Sequence, residues 1–201
     1  MHRQIFIVTL FLFSFLQQGC DSSRLEPIGH GNILAFGDSL TLGVGVSIEN
    51  SYPAVLSELT GLNVVNSGVS GETTSQGVKR LPGELNRVNP SLLILIEGGN
   101  DILQNNNETE IKKNIRAMIE LTKSKGIQIV LIGVPQKSLF SSSAPLYEEL
   151  ASEYELVFDG RLIGNLLRSP SLKSDSIHFN EKGYRKMAES IHELLSNNGA
   201  L

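Results

Sequence analysis

The chain has 201 residues, 40% of them hydrophobic and 19% charged, which suits one well-buried domain and is short for two. That balance excludes a disordered chain and one embedded in a membrane along its whole length. A net charge of −4 with no basic patch interleaved with aromatics argues against a nucleic-acid partner, and a single cysteine excludes an internal disulfide framework or a cysteine-based zinc cluster.

From Ile5 to Leu16 the chain is apolar except for Thr9 and Ser14, and Arg3 precedes the run. Such a segment is too short to span a bilayer comfortably but suits a signal-peptide core. It ends in Leu16-Gln17-Gln18-Gly19-Cys20, which resembles a bacterial lipoprotein processing site, where the cysteine is lipidated and becomes residue one. Gly19 and Cys20 fit that pattern; Gln17 and Gln18 depart from it. The alternatives are a conventional secretory signal with a free Cys20, or an uncleaved anchor. The expected organisation is a signal peptide over 1–19, a polar tether over 20–31 containing Pro27, Gly29 and Gly31, and one domain over 32–201.

The domain opens with Ile33-Leu34-Ala35-Phe36, which reads as a buried parallel strand, followed at once by Gly37-Asp38-Ser39-Leu40. The loop Leu42-Gly43-Val44-Gly45-Val46 lacks the Gly-Lys-Ser/Thr ending of a phosphate loop, so a nucleotide cofactor is not expected. Ser51 and Pro53 start a helix that runs to Thr60 and stops at Gly61. Leu62 to Val65 reads as a second strand, and Asn66 to Gly71 as a small-residue loop. A helical stretch follows, interrupted at Pro82-Gly83.

Leu92 to Ile96 is the most apolar strand, and Glu97-Gly98-Gly99-Asn100-Asp101 follows it directly. Asn107 and Glu110 form a capping box for a helix to Lys125, with Ile111, Ile115, Met118, Ile119 and Thr122 on its core face. Ile127 to Val134 is a fourth strand. Pro145 to Tyr154 is a helix, Leu156 to Phe158 a short strand, and a last helix starts after Asn180 with Tyr184, Met187, Ala188, Ile191 and Leu195 on one face. This alternation implies an α/β fold, a three-layer sandwich around a parallel sheet.

Loops that follow parallel strands emerge at one sheet edge. Ser39, Gly71 and Asn100 follow different strands and can therefore meet. The fourth segment is Asp175-Ser176-Ile177-His178. An Asp three residues before a His in a tight turn can accept from Nδ1–H, leaving Nε2 free to take a serine proton. Of the four histidines, His2 lies in the signal, His30 in the tether and His192 on the last helix, so only His178 occupies a loop at that edge.

Gly37-Asp38-Ser39-Leu40, the Gly71 loop, Gly98-Gly99-Asn100-Asp101 and Asp175-Ser176-Ile177-His178 resemble, in order, the blocks of the GDSL-type or SGNH hydrolases. The segments Asn66 to Thr74 and Arg80-Leu81-Pro82 are similar to the acyl-CoA thioesterase I, lysophospholipase L1 and arylesterase group. The resemblance implies a flavodoxin-like sheet and a serine esterase or thioesterase acting on small-molecule or lipid acyl esters through an acyl-enzyme. It assigns Ser39 as nucleophile, His178 as base and then acid, and Asp175 as its orienting carboxylate. The oxyanion is expected at the N–H groups of Ser39 and Gly71 and the Asn100 side chain, with no metal and no cofactor. Asp38 and Asp101 are expected to accept backbone N–H bonds and fix loops.

Phe179 stands where the thioesterase group commonly has proline, which makes it an expected part of the pocket wall. Leu139 and Phe140, among polar residues of the segment 135–144, either line the acyl site or pack under their loop. Two other readings remain at this stage: a carbohydrate O-deacetylase using the same triad, and a non-catalytic envelope-binding lipoprotein. A lipidated Cys20 implies a periplasm-facing, membrane-tethered protein.

Overall fold

In a computed structural model, which describes residues 24–136 and 142–201, five strands form one parallel sheet. They are β1 (Ile33–Gly37), β2 (Val64–Gly68), β3 (Leu92–Ile96), β4 (Gln128–Ile132) and β5 (Val157–Asp159), in the order β2-β1-β3-β4-β5. β1 and β3 are buried along their whole length, as strands covered on both faces must be, and they are apolar throughout. The order reverses direction between β1 and β3, and in open α/β sheets ligands bind outside the strand ends at that point.

Register brings the three relevant strand ends level. Gly37 pairs with Gly68 on one side and with Ile96 on the other. A Cβ on Gly68 would stand 2.0 Å from the Leu42 nitrogen, so glycine here lets the short helix α1 (Ser39–Leu42) lie against the end of β2. Residues following β1, β2 and β3 are thus delivered to one small region.

The connecting helices cover both faces. α2 (Tyr52–Thr60) packs on α8 (Glu181–Asn197), and α7 (Leu162–Leu167) joins α8 on that side. On the other side α3 (Thr74–Val88) packs on α5 (Glu108–Ser124), which also meets α6 (Pro145–Tyr154). The remaining helix, α4 (Gly99–Leu103), begins three residues beyond β3. The sandwich is the expected three-layer one.

Several local expectations change. α3 runs unbroken through Pro82, with Gln76 closing a capping box on Thr73 and Leu81, Leu85 and Val88 buried beneath. A mid-helix proline costs about 3 kcal/mol. Burying two leucines returns roughly 1.5–3 kcal/mol each, enough to hold the helix together. β2 starts at Val64 rather than Leu62, and β4 is the shorter span Gln128–Ile132. Asn107 caps α5 by accepting from the Thr109 N–H.

The expected tether is not wholly free of the domain. Leu25 and Ile28 are buried, and their N–H groups donate to the carbonyls of Asn198 and Ala200. Glu26 and Gln128 exchange two further hydrogen bonds. Two apolar side chains in an otherwise polar stretch suffice to dock it, at the edge of the sheet where the strands begin.

Candidate active site

Ser39 is the first residue of α1, directly after the Asp38 N-cap, and is 8% exposed. Asp38 Oδ1 accepts from the Leu40 N–H at 3.0 Å, which fixes the strand-to-helix turn carrying the serine. His178 Nε2 lies 3.0 Å from Ser39 Oγ. His178 Nδ1 lies 2.7 Å from Asp175 Oδ2, while Asp175 Oδ1 accepts from the N–H groups of Ile177 and His178, each at 2.8 Å. One carboxylate therefore both builds the turn and orients the ring, although Asp175 itself is half-exposed. The bond to His178, followed by those to Ile177 and to the His178 N–H, holds the Asp175 carboxyl down to about 2.

Asn100 lies in the first turn of α4. Its Nδ2 donates to the Glu72 carbonyl at 2.9 Å and makes a long contact, 3.5 Å, with Asp38 Oδ2. A substrate oxygen near Ser39 would compete only with the long contact. Gly71 is exposed and holds φ +78 in the turn closed by Glu72 N–H to Val69 carbonyl at 3.2 Å, a left-handed position that favours glycine. Asp101 accepts from the Thr74 N–H at 2.7 Å and from its hydroxyl at 3.0 Å, tying α4 to the start of α3. Burial pushes the Asp38 carboxyl up to about 6, against the pull of the Leu40 N–H and His178.

Beside Ser39 opens a cavity of about 70 Å³, walled by Leu40, Ile102, Leu103, Val134, Ile163 and Leu167. Ile177, Asn100 and Gln136 complete its rim. Phe179 is not part of this wall. It is fully buried, its ring meeting that of Tyr184 edge-on at 5.5 Å, because the segment after His178 turns inward to start α8. Leu139, Phe140 and Cys20 lie outside the described residues. Among the described residues the wall draws on α4 and α7, which sequence periodicity over so few residues did not reveal; the apolar pairs Ile102-Leu103 and Leu162-Ile163 were the available signal. No group of three or more His, Cys, Asp or Glu side chains suited to a metal ion occurs among the described residues.

Geometry of this kind, a serine hydroxyl bonded to an imidazole that is held by a carboxylate, can activate the hydroxyl for attack on an acyl carbon. Comparison with known proteins agrees. The GDSL-like Lipase/Acylhydrolase family profile matches residues 35–186. The chain is 27% identical over 200 residues to an arylesterase of Vibrio mimicus, covering 94% of this chain and 96% of that one. It is 26% identical over 156 residues to the thioesterase 1/protease 1/lysophospholipase L1 of Escherichia coli K12, covering 74% and 75%. The crystal structure of AlinE4, an SGNH-hydrolase family esterase, superposes with a TM-score of 0.65 at 30% identity, over 83% of this chain and 93% of that one. The chain is a carboxylic ester hydrolase and belongs to the GDSL-like lipase/acylhydrolase family.

Proposed function

We propose that the protein hydrolyses acyl esters or thioesters with short to medium acyl chains through a serine-bound acyl intermediate. The observation that carries this reading is the continuous hydrogen-bonded line from Asp175 through His178 to Ser39 at the mouth of an apolar cavity. Ser39 Oγ attacks the acyl carbonyl while His178 Nε2 takes its proton. The proton then passes to the leaving alkoxide or thiolate, and a water activated by the same imidazole releases the acid. Asn100, with the N–H groups of Ser39 and Gly71, receives the oxyanion.

The apolar wall supports an acyl chain rather than a sugar hydroxyl as the group bound in the cavity, and so favours an acyl ester over a carbohydrate acetate. Leu139 and Phe140 are candidate acyl-chain contacts in this reading. Cys20, by its setting after an apolar run, tethers the enzyme to the membrane on the periplasmic side. Hydrolysis of p-nitrophenyl acetate and butyrate by the purified protein tests the activity. Turnover of both that disappears in Ser39→Ala is the expected result; no turnover of either contradicts the reading.

A further inference from the structure

Glu97 follows the most apolar strand of the sheet, and its side chain is 0% exposed. Its Oε2 receives the Gly98 N–H at 3.2 Å. Among the described residues no donor reaches its Oε1, which would stand 3.2 Å from a Cβ on Gly77 of α3. Beside this carboxyl stands the side chain of Glu72, itself a carboxyl and 4% exposed.

Glu72 already has its counter-charge. Arg80 donates to both of its oxygens, through Nε at 2.8 Å and through a terminal nitrogen. The same guanidinium binds the Ser67 hydroxyl and carbonyl and lies 4.1 Å from the centre of the Phe36 ring. Asp38 faces Glu97 from the end of β1, Glu72 from the β2–α3 loop with Arg80 behind it, and Tyr147 from α6, with its hydroxyl donating to the Glu97 carbonyl at 2.7 Å. Asp101 of α4 adds a fourth carboxyl to the neighbourhood. The guanidinium of Arg80 is committed to Glu72.

Two ionised carboxyls in contact repel and have no hydrogen to share; a proton on one of them turns an orphaned oxygen into a donor. Since both oxygens of Glu72 already receive hydrogen bonds from Arg80, that proton belongs on Glu97. The consequence reaches the reaction through the backbone. Glu72 follows Gly71 directly, and its carbonyl is the acceptor that holds the Asn100 amide. We propose that Glu97 is a positioning residue: in its protonated form it donates to Glu72, fixes the Gly71–Glu72 segment, and so aims the Asn100 amide at the oxyanion. Burial, with Asp38 and Glu72 close by, favours that protonated form. The role rests on the serine-hydrolase reading above.

Loss of the Glu97 proton at alkaline pH removes the donor to Glu72, and the oxyanion segment moves. Glu97→Gln keeps a donor and has no proton to lose; Glu97→Leu has no donor. With p-nitrophenyl acetate, E97L lowers kcat about tenfold or more with KM within about twofold, as expected of a misplaced oxyanion donor. E97Q stays within about twofold of wild type, and its kcat lacks the alkaline decline of the wild type. Infrared spectra recorded above about pH 7, where Asp38 is ionised, show the carbonyl stretch of a protonated acid in wild type and not in E97Q. An alkaline limb unchanged in E97Q, an E97L variant as fast as wild type, or a wild-type spectrum without the acid band overturns the proposal. Retained turnover in Ser39→Ala would instead defeat the serine reading, on which the infrared band does not depend.

Discussion

Ser39 Oγ and His178 Nε2 stand 3.0 Å apart although 139 residues separate them in the chain. What joins them is topology. Ser39 leaves the end of β1, and His178 sits in the turn before α8, which packs against α2 across the same face of the sheet. Ser39→Ala should abolish ester turnover and leave the melting temperature nearly unchanged, because one small hydroxyl at the start of a short helix carries little stability. His178→Ala should cost as much, several thousandfold or more, since the members of such a relay act as a unit. Turnover and thermal melts on the purified variants check both.

Asp175 performs two jobs, and they respond to pH together. Its carboxyl is held down to about 2 by His178 and by the N–H groups of Ile177 and His178. A depressed group gives support that is present above its ordinary value of 3.8 and lost as pH falls through about 2. The orienting bond therefore survives through the mildly acidic range. Asp175→Ala should lower kcat by roughly 10³–10⁴. A loss below tenfold in steady-state assays would show that the backbone of the turn orients the ring unaided.

Asp38 has the opposite sign. Burial raises it from 3.8 to about 6, so the folded protein holds this proton more tightly than the unfolded chain. Its contribution is intact below about pH 4 and is lost as pH rises through about 6, a change of order 3 kcal/mol. Asp38→Asn keeps an acceptor for the Leu40 N–H and has nothing to ionise. Denaturant titrations across that window should show a flatter stability profile in the variant; equal slopes in the two proteins would refute the assignment.

The apolar wall carries the acyl preference. Leu103 is 46% exposed yet lines the cavity, so shortening it disturbs the core little. Each acyl methylene it covers is worth about 0.8 kcal/mol. Leu103→Ala should reduce kcat/KM for butyrate by several times the loss seen with acetate. An equal loss on both esters would mean the chain runs elsewhere.

How far the sequence carried depends on where the signal resides. β3 and α6 fall on the expected residues, because an unbroken apolar run and a Pro-led amphipathic stretch are local patterns. The four blocks that meet at the sheet edge were legible because each follows a strand, and the parallel order places such loops together. What was missed depends on contacts between distant residues. α3 passes through Pro82 only because Leu81 and Leu85 are buried beneath it, and Phe179 faces inward only because Tyr184 offers its ring. The pairing of Glu72 with Arg80, and the burial of Glu97 beside it, are likewise invisible to periodicity; a charged residue abutting Leu92 to Ile96 was the one trace.

Leu25 docks against Asn198, so no more than Asp21 to Arg24 separate it from Cys20, a reach of about 18 Å when extended. That docking lies where the strands begin, and Ser39 lies where they end, about 17 Å away for five-residue strands. A lipid on Cys20 would thus be tethered at the sheet edge opposite the cavity. Cys20→Ser should release the protein from membranes with kcat on p-nitrophenyl acetate within about twofold of wild type. Wild-type protein found wholly in the soluble fraction would remove the anchor.

The central claim is that Ser39 is the nucleophile, and intact-mass and peptide mass spectrometry after treatment with a serine-directed phosphonate tests it most directly. The account predicts one covalent adduct, on the peptide containing Ser39, formed in step with loss of p-nitrophenyl acetate turnover and absent from Ser39→Ala. An adduct on another residue, or full inhibition with Ser39 unmodified, would contradict it.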